Sequence, residues 1–316
     1  MYASYRKAFA KALIDLGERN SNLVVIDADT PKSTGTMEFA MKFPERFINI
    51  GISEQDLVST AAGLAIAGLT PVAAAFAIFL MRAWEQTRNT IARDRLNVKL
   101  VGTHAGLSAH YDGSSHQSLE DISLMRAIPG MTVVVPADFL ATYELTIKAV
   151  EEHKGPLYMR LGRDNAPRVY SETGSLELGR VSPLVDGFDL TVIACGPSVA
   201  VALEVSRLGK QQGLGIEVLD AHTVKPLDEA GILKSVRKTG RVVTIEEHNI
   251  IGGLGSAIAE LLAENYPVPL LRVGVRDSFG VSARSYEELL EFFKLTPKHV
   301  WSSIKRWLEV GLQARH

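Results

Sequence analysis

Three histidines stand in one segment rich in glycine and serine, GTHAGLSAHYDGSSHQ (residues 102–117), at His104, His110 and His116. We call this segment the histidine loop. Imidazoles can donate, accept and transfer protons near neutral pH, so a glycine-rich loop that carries several of them suits recognition of a polar substrate. Zinc sites prefer tighter spacings, and the loop holds no cysteine and no carboxylate besides Asp112, so we predict no metal site. Taken singly, each histidine is equally well explained by an ordinary surface or core position.

Acidic side chains mark two other segments. IDADTPKST (residues 26–34) concentrates two aspartates, a lysine and hydroxyl groups in one turn, and NIGISEQD (residues 49–56) precedes an apolar stretch with helical spacing. In the second segment Ser53 and Asp56 have the spacing of a capping box, and the helix dipole favours an acid at Glu54. A solvated turn and a helix start explain both segments without catalysis.

Basic and glycine-rich segments give two further candidates. In MRLGRDN (residues 159–165), Arg160 and Arg163 follow a strand-like run and could bind an anion, although a pair of surface arginines fits equally well. IIGGLGSAIAE (residues 250–260) places three glycines before a helix. It lacks the third glycine of the dinucleotide-binding fingerprint, so we interpret it as a turn that starts a helix.

These segments must be held by the elements that precede them. Short apolar runs rich in β-formers alternate with helical spacing, which predicts mostly parallel sheets with helices on both faces. The first series of runs is NLVVIDA, RFINIG, PVAAAF, VKLVGTH and TVVVPA, and the second is LTVIAC, IEVLDA, RVVTIEE and PLLRVGV. Ligands of open α/β sheets lie beyond the carboxyl ends of the strands, so the segments that follow the strands are the candidates for chemistry.

The periodicity lapses between the two series of strands. We predict two α/β domains, residues 1–166 and 187–316, joined by a polar linker at residues 167–186. A last helix from about Pro297 to Leu312 carries two tryptophans that would dock it onto the body of the protein.

The composition indicates local rather than global recognition. With 34 basic and 36 acidic residues the net charge is -2, which predicts neither a nucleic-acid partner nor an anionic membrane. The uncharged run from Leu57 to Met81 is long enough to span a bilayer, but glycines and a Thr-Pro pair divide it into a helix and a strand. The lone Cys195 predicts a packed thiol in a reducing compartment, and the N-terminus has no apolar signal core, so we expect a cytoplasmic protein.

Taken in order, GISEQD, AFAIF, THAGLSAHYDGSSHQ and LMRAIPGMTVVVPAD resemble the pyrimidine-binding domain of the transketolase family. The second series of strands resembles the C-terminal domain of that family, and the resemblance covers nearly the whole chain. It implies two doubly wound α/β domains and dependence on thiamine diphosphate. It also implies transfer of a two-carbon ketol unit from a ketose phosphate to an aldose phosphate, as in the pentose phosphate pathway.

The resemblance assigns roles position by position. Glu54 matches the glutamate that hydrogen-bonds the aminopyrimidine ring of the cofactor, and His104 and His116 match histidines that contact the donor sugar and the developing oxyanion. The positions that match cofactor contacts are Asp29, Glu54, Phe76, Phe79 and Arg82. The positions that match substrate contacts are Arg6, Ser33, His104, Asp112, His116 and Arg163.

Some positions depart from the family pattern. Arg82 replaces a tyrosine of typical transketolases and resembles deoxyxylulose phosphate synthase. Ala105, His110 and Tyr111 also replace commoner residues, so the preferred sugars stay open.

Half of the implied site is missing from the chain. The family holds Mg²⁺ and the cofactor's diphosphate through a GDG motif and an asparagine in a preceding domain, and this sequence contains no GDG. The resemblance therefore implies an N-terminal partner subunit that binds the metal, self-association, and a heterotetramer of two plus two chains. A cloned fragment of a longer enzyme would look similar.

Three alternatives remain open from the sequence. The chain could serve a deoxyxylulose phosphate synthase-like enzyme or act as the beta subunit of a 2-oxo acid dehydrogenase. It could also be a non-catalytic regulatory subunit, although the intact Glu54 and both matched histidines argue against lost chemistry.

Overall fold

Two sheets, each with helices packed on it, form the framework of the protein, whose computed structural model describes residues 2–313. The strands are β1 (Tyr2–Ser4), β2 (Leu23–Asp27), β3 (Phe47–Asn49), β4 (Thr70–Phe76), β5 (Lys99–Thr103), β6 (Thr132–Val134), β7 (Leu157–Arg160), β8 (Asn165–Pro167), β9 (Ser182–Val185), β10 (Leu190–Ala194), β11 (Ile216–Asp220), β12 (Thr223–Lys225), β13 (Val242–Asn249) and β14 (Leu270–Val275).

The α-helices between them are α1 (Tyr5–Arg19), α2 (Pro31–Thr34), α3 (Met37–Lys42), α4 (Glu54–Ile66), α5 (Ala77–Leu80), α6 (Trp84–Gln86), α7 (Asp121–Arg126), α8 (Phe139–Glu151), α9 (Ser198–Lys210), α10 (Glu229–Thr239), α11 (Leu254–Asn265), α12 (Tyr286–Phe292) and α13 (Pro297–Gln313). Shorter 3₁₀ turns lie at Pro44–Arg46, Met81–Ala83 and Gly106–Ser108, and a π-helical turn lies at Thr87–Ala92.

The larger sheet has the strand order β12-β6-β7-β5-β4-β2-β3. All neighbours except β12 and β6 are parallel, so the carboxyl ends of β2, β3, β4, β5 and β7 meet at one edge. Every segment singled out in the first half of the sequence follows one of these strands. The predicted fold class is confirmed, and β12 adds a strand from the second half of the chain to the first sheet.

The smaller sheet has the strand order β14-β13-β10-β11-β9. Its strands pair in parallel, except that the edge strand β9 is antiparallel to β11. From β10 the chain moves to β11 on one side and later returns to β13 on the other. The crevice at the carboxyl ends of β10 and β13 is therefore the topological switch point of this sheet.

The helices bury the faces that the sequence indicates. Phe9, Leu13 and Leu16 of α1 are completely buried, and Ser4 caps this helix through the amide of Lys7. Trp301 of α13 is buried, as the predicted docking of the last helix requires.

The uncharged run from Leu57 to Met81 contains most of α4 and all of β4, the predicted helix and strand, and continues through α5 into the turn Met81–Ala83. Within residues 2–313, no helix is both long and apolar enough to cross a membrane. Cys195 is a buried free thiol. The stretch predicted as a linker, residues 167–186, includes β9, which joins the smaller sheet, and the domain bounds stay a prediction.

Candidate active site

Four aromatic side chains from three different segments form one cluster at the carboxyl edge of the larger sheet. Phe76 ends β4, Phe79 lies in α5, and His104 follows β5. The Phe76 ring stacks on the His104 ring at 3.7 Å between centroids and on the Phe79 ring at 5.2 Å. His116 meets Phe79 edge to face at 5.3 Å. The cluster therefore offers flat apolar surface beside two imidazoles.

His104 is held in an unusual backbone conformation and is kept neutral. Its φ of 58° lies in the left-handed region, and its Nδ1 is 3.0 Å from the hydroxyl of Thr103. Burial, together with the charges of Arg6, Arg163 and His116, lowers the pKa of His104 to about 3. A neutral imidazole presents one donor and one acceptor nitrogen, which suits proton transfer more than charge pairing.

Arg6 and Arg163 form a basic corner beside His104. Arg6 Nη1 donates to the carbonyl of Ser33 at 2.9 Å, and Arg163 Nη1 lies 4.0 Å from a carboxylate oxygen of Asp112. Burial lowers the pKa of Arg6, and the neighbouring charge of Arg163 lowers it further. Among residues 2–313, Arg6 Nε and Arg163 Nη1 have no hydrogen-bond acceptor although both atoms are buried. Two partly buried guanidinium groups, each with a buried nitrogen that lacks an acceptor, suit an anion.

Asp27 organises the segment that carries Ser33. Its carboxylate accepts from the amide of Thr30 at 2.6 Å and from the hydroxyls of Thr34 and Thr36 at 2.6 and 2.8 Å. Burial raises the pKa of Asp27, and these hydrogen bonds oppose the rise. The alternative interpretation of the segment as a solvated turn is therefore wrong for Asp27, which is completely buried.

Asp29 lies outside that network. It is exposed and has a left-handed φ of 65°. Its amide and carboxylate exchange hydrogen bonds of 3.0 Å with the side chain of Asn49 at the end of β3. Asp29 therefore links the ends of β2 and β3 at the same edge of the sheet.

Glu54 is the first residue of α4 and is only 8% exposed. Ser53 occupies the N-cap position but makes no side-chain cap hydrogen bond, so the capping box expected at this helix does not form. Glu54 is nevertheless buried where α4 begins. The structure thus places Glu54 on the carboxyl edge that also carries the aromatic cluster.

Arg82 is not part of the cluster. It lies in the 3₁₀ turn Met81–Ala83, is exposed, and makes no hydrogen bond or ion pair within the described part of the chain. His110 is buried, and its Nδ1 lies 3.1 Å from a carboxylate oxygen of Asp164, whereas Tyr111 is 67% exposed. The Arg163 guanidinium lies over the Tyr111 ring, 5.6 Å from its centroid, so the middle of the histidine loop contacts residues 163–164.

Arg160 does not bind an exposed anion, so that interpretation of the sequence is wrong. Its guanidinium is 4% exposed and donates through Nε to Asp121 at 2.8 Å. Its Nη2 donates to the carbonyls of Ser118 and Glu247 at 3.2 and 2.9 Å. Tyr158 also donates to Asp121, at 2.8 Å. Arg160 is therefore a buried connector between the end of the histidine loop and the smaller sheet.

Sequence reasoning missed Glu246 and Glu247, which are buried in β13. Glu246 accepts from the amides of Leu254 and Gly255 at the start of α11, which explains the preceding glycines and confirms their role as a helix-starting turn. Glu247 accepts from the amide of Leu107 at 2.7 Å. Burial raises the pKa of each carboxyl to about 7. The sequence signal was two adjacent acids at the end of the strand-like run RVVTIEE.

Comparisons with known proteins fit this arrangement. Family models described as "Transketolase, pyrimidine binding domain" and "Transketolase, C-terminal domain" match residues 2–168 and 179–300. A "Putative transketolase C-terminal section" of Methanocaldococcus jannaschii is 45% identical, with 93% of each chain covered. A "6-deoxy-6-sulfo-D-fructose transketolase subunit" of Clostridium sp. is 43% identical and covers 93% of this chain and 91% of its own.

A solved structure described as "Split gene transketolase, inactive beta4 tetramer" superposes with a TM-score of 0.90. It is 46% identical and covers 97% of this chain and 98% of its own.

Proposed function

The chain belongs to the transketolase family, and we propose that it is the pyrimidine-binding and C-terminal subunit of a split transketolase. In this proposal the assembled enzyme moves a two-carbon ketol unit from a ketose phosphate to an aldose phosphate. The two relatives whose names mention a section or a subunit match this chain over more than nine tenths of both lengths, which supports a subunit of this size.

The basic corner is the observation that carries the proposal. Arg6 and Arg163 lie beside His104, and each has a buried N–H group without an acceptor in the described part of the chain. A phosphate oxygen is a ligand that guanidinium groups bind well. A phosphate held there would place the carbon chain of a sugar along His104, with Ser33 and Asp112 at its sides.

Family membership implies thiamine diphosphate, and the aromatic cluster fits it. The stacked faces of Phe76 and Phe79 suit a flat heteroaromatic ring, and the buried carboxyl of Glu54 would hydrogen-bond a ring nitrogen. When bound, the cofactor supplies an electron sink for cleavage of a carbon–carbon bond. Asp29 and Arg82 are proposed cofactor neighbours on the resemblance alone.

His104 and His116 are proposed as the groups that handle substrate protons. Because burial keeps His104 neutral, its ring can accept a proton from a hydroxyl and return it. His104 stacks on the face of Phe76, whereas His116 meets both phenylalanine rings edge to face, 6.2 Å from the Phe76 ring centroid. The two imidazoles would therefore act on different oxygens of the sugar.

A partner subunit is proposed to complete the site. The chain lacks the GDG motif, and two apolar side chains near the site are strongly exposed, Ile52 at 83% and Phe279 at 81%. We propose that the partner covers this surface, supplies Mg²⁺ and the diphosphate contacts, and forms a heterotetramer of two plus two chains. The buried Cys195 thiol supports the cytoplasm as the compartment.

The test is reconstitution. The chain is mixed with a subunit that carries a GDG motif, and ketol transfer is measured over a panel of ketose and aldose phosphates with Mg²⁺ and thiamine diphosphate. We expect transfer only in the mixture, and Arg163→Gln should raise the KM of the phosphorylated donor about tenfold or more by removing a charged hydrogen bond. Equal KM values for phosphorylated donors in Arg163→Gln and the wild type would contradict the proposed phosphate site.

A second candidate is deoxyxylulose phosphate synthase-like chemistry, because Arg82 stands where typical transketolases carry a tyrosine. The same mixture supplied with pyruvate and an aldose phosphate tests it. Release of CO₂ from pyruvate in step with loss of the aldose phosphate would favour this candidate over ketol transfer.

A further inference from the structure

The histidine loop has a backbone that cannot hold its shape by local preference alone. His104, Gly106 and Gly113 have φ values of 58°, 70° and 82°, all in the left-handed region. A histidine there costs free energy, and such conformations persist only where surrounding contacts impose them. Something outside the loop must therefore fix it.

On the side of the histidine loop that faces the second half of the chain, apolar packing alone does not fix the backbone. A cavity of about 700 Å³ lies there, and its walls include Ser108, His110 and Tyr111 of the loop together with Glu247 and Tyr286. The cavity sits at the switch point of the smaller sheet, where β10 and β13 end. Leu107 and Ala109 of the loop are completely buried, but Ser108, His110 and Tyr111 border this cavity, so polar contacts have to hold that side of the loop.

Those contacts come from the half of the chain that carries the smaller sheet. The carbonyl of His110 accepts from the amide of Ala283 at 3.2 Å, and Gln117 Nε2 donates to the carbonyl of Val281 at 2.9 Å. Just beyond the loop, the carbonyl of Leu119 accepts from the amide of Asn249 at 2.9 Å. The loop is therefore attached at several points along its length.

Glu247 makes the most buried of these attachments. One carboxylate oxygen accepts from the amide of Leu107, and the other accepts from the hydroxyl of Tyr286. Its carbonyl accepts from Arg160, which also binds the carbonyl of Ser118 at the far end of the loop. A Cβ on Gly106 would collide with the same carboxylate, so this glycine permits the close approach.

We propose that Glu247 is a positioning residue that sets the conformation of the histidine loop, and through it the placement of His104 and His116. The half of the chain with no assigned part in the chemistry thereby contributes to the site. The expected loss of catalysis on removing Glu247 rests on the proposed function, whereas the expected change in the conformation of the histidine loop does not.

The first test measures amide hydrogen exchange in the isolated chain, without cofactor or partner. Glu247→Ala leaves the buried Leu107 amide without an acceptor, so its exchange should accelerate on the order of ten- to a hundredfold, as expected for loss of a charge-assisted hydrogen bond. Glu247→Gln keeps an acceptor for Leu107 and should exchange nearly as the wild type does. Wild-type exchange in the histidine loop of Glu247→Ala would overturn the proposal.

Glu246→Ala is the matched control. Glu246 is the preceding residue, equally buried, and it also accepts from two donors, but both lie at the start of α11. Its loss should accelerate exchange at Leu254 and Gly255 and leave the histidine loop unchanged. If Glu246→Ala accelerated exchange in the histidine loop as much as Glu247→Ala does, general destabilisation would explain the effect and the proposal would fail.

A second variant covers the case in which Glu247→Ala does not fold. Gly106→Ala disturbs the contact between Glu247 and the histidine loop by a change in the loop. It places a Cβ against the Glu247 carboxylate at a residue with positive φ. It should also accelerate exchange of Leu107. Unchanged exchange in that variant would contradict the proposal.

The catalytic arm uses the reconstituted complex. Glu247→Ala should lower kcat/KM for the donor sugar about tenfold or more while the affinity for thiamine diphosphate stays unchanged, and Glu247→Gln should restore most of the loss. Equal losses in kcat/KM for Glu247→Ala and Glu246→Ala would overturn the positioning role. Absence of ketol transfer in the wild-type mixture would count against the proposed function, and the exchange result would stand independently.

Discussion

At the scale of single residues, Glu54 best distinguishes a catalytic site from an ordinary helix start with an acidic first turn. The helix dipole stabilises any acid in the first turn of α4, and both Glu54 and Asp56 occupy that turn. Only Glu54 is buried, whereas Asp56 is exposed. A charge that serves the dipole gains nothing from burial, because desolvation penalises the ionised form. The burial of Glu54 therefore favours a role toward a bound group.

We predict that Glu54→Gln in the assembled enzyme slows ketol transfer by roughly a hundred- to ten-thousandfold, the usual effect of losing a general acid. The amide keeps the size and a hydrogen bond of Glu54, so the cofactor should still bind. The measurement is the transfer rate together with the exchange rate of the C2 proton on the cofactor's thiazolium ring.

Asp56→Asn is the control for this prediction, since it removes the other acid of the same turn. It should cost only about 0.3 to 1 kcal/mol of stability and leave turnover intact. Wild-type proton exchange in Glu54→Gln, or equal losses of turnover in both variants, would show that Glu54 serves only as a charge at the start of α4.

The placement of a side chain could be predicted where it follows a strand within a distinctive segment. His104, His116 and Phe79 met this condition, and the structure gathers all three around the ring of Phe76. Glu247 could not be predicted, because its partners Leu107 and Tyr286 are far from it in sequence. Arg160 was misinterpreted for the same reason, since its carboxylate partner lies on another element.

At the scale of elements, the segment after β2 shows how a buried carboxylate shapes a loop. Asp27 accepts from a backbone amide and from three threonine hydroxyls, of Thr30, Thr34 and Thr36, and so fixes the turn that presents Ser33 to Arg6.

We predict that Asp27→Asn destabilises the chain by about 1 to 3 kcal/mol, because an amide has one acceptor oxygen and leaves buried hydroxyls without a partner. The measurement is urea unfolding of the isolated chain. Asp186→Asn is the control, since the Asp186 side chain is 72% exposed and its ion pair with Lys238 lies at the surface. Equal unfolding midpoints for Asp27→Asn and the wild type would show that the network does not hold the loop.

Alternation of apolar runs with helical spacing predicted the strands and the last helix, because burial on both faces of a parallel sheet requires such runs. The pairing of β12 with β6 could not be predicted in this way. β12 is three residues long and antiparallel, and it joins a sheet formed by the other half of the chain. The absence of a capping hydrogen bond at Ser53 also departs from the sequence pattern, which has the spacing of a capping box.

At the scale of the whole molecule, we propose that this chain carries one part of the active site and a partner subunit carries the other. Aromatic surface, imidazoles and arginines converge at the carboxyl edge of the larger sheet, and no cluster of acids, histidines or cysteines that could hold a metal ion occurs among residues 2–313. Association with a partner that completes the site should raise the melting temperature of the chain, because any ligand of the native state stabilises it by mass action.

Calorimetric titration with thiamine diphosphate and Mg²⁺ most directly tests the proposal that a partner subunit supplies the metal and diphosphate contacts. We predict that the chain alone binds the cofactor more weakly than about 1 mM, giving no saturable heat, because we propose that the partner holds the metal and diphosphate contacts. The chain mixed with its GDG-containing partner should show saturable binding that requires Mg²⁺. Tight, Mg²⁺-dependent binding of thiamine diphosphate to the chain by itself would contradict the account.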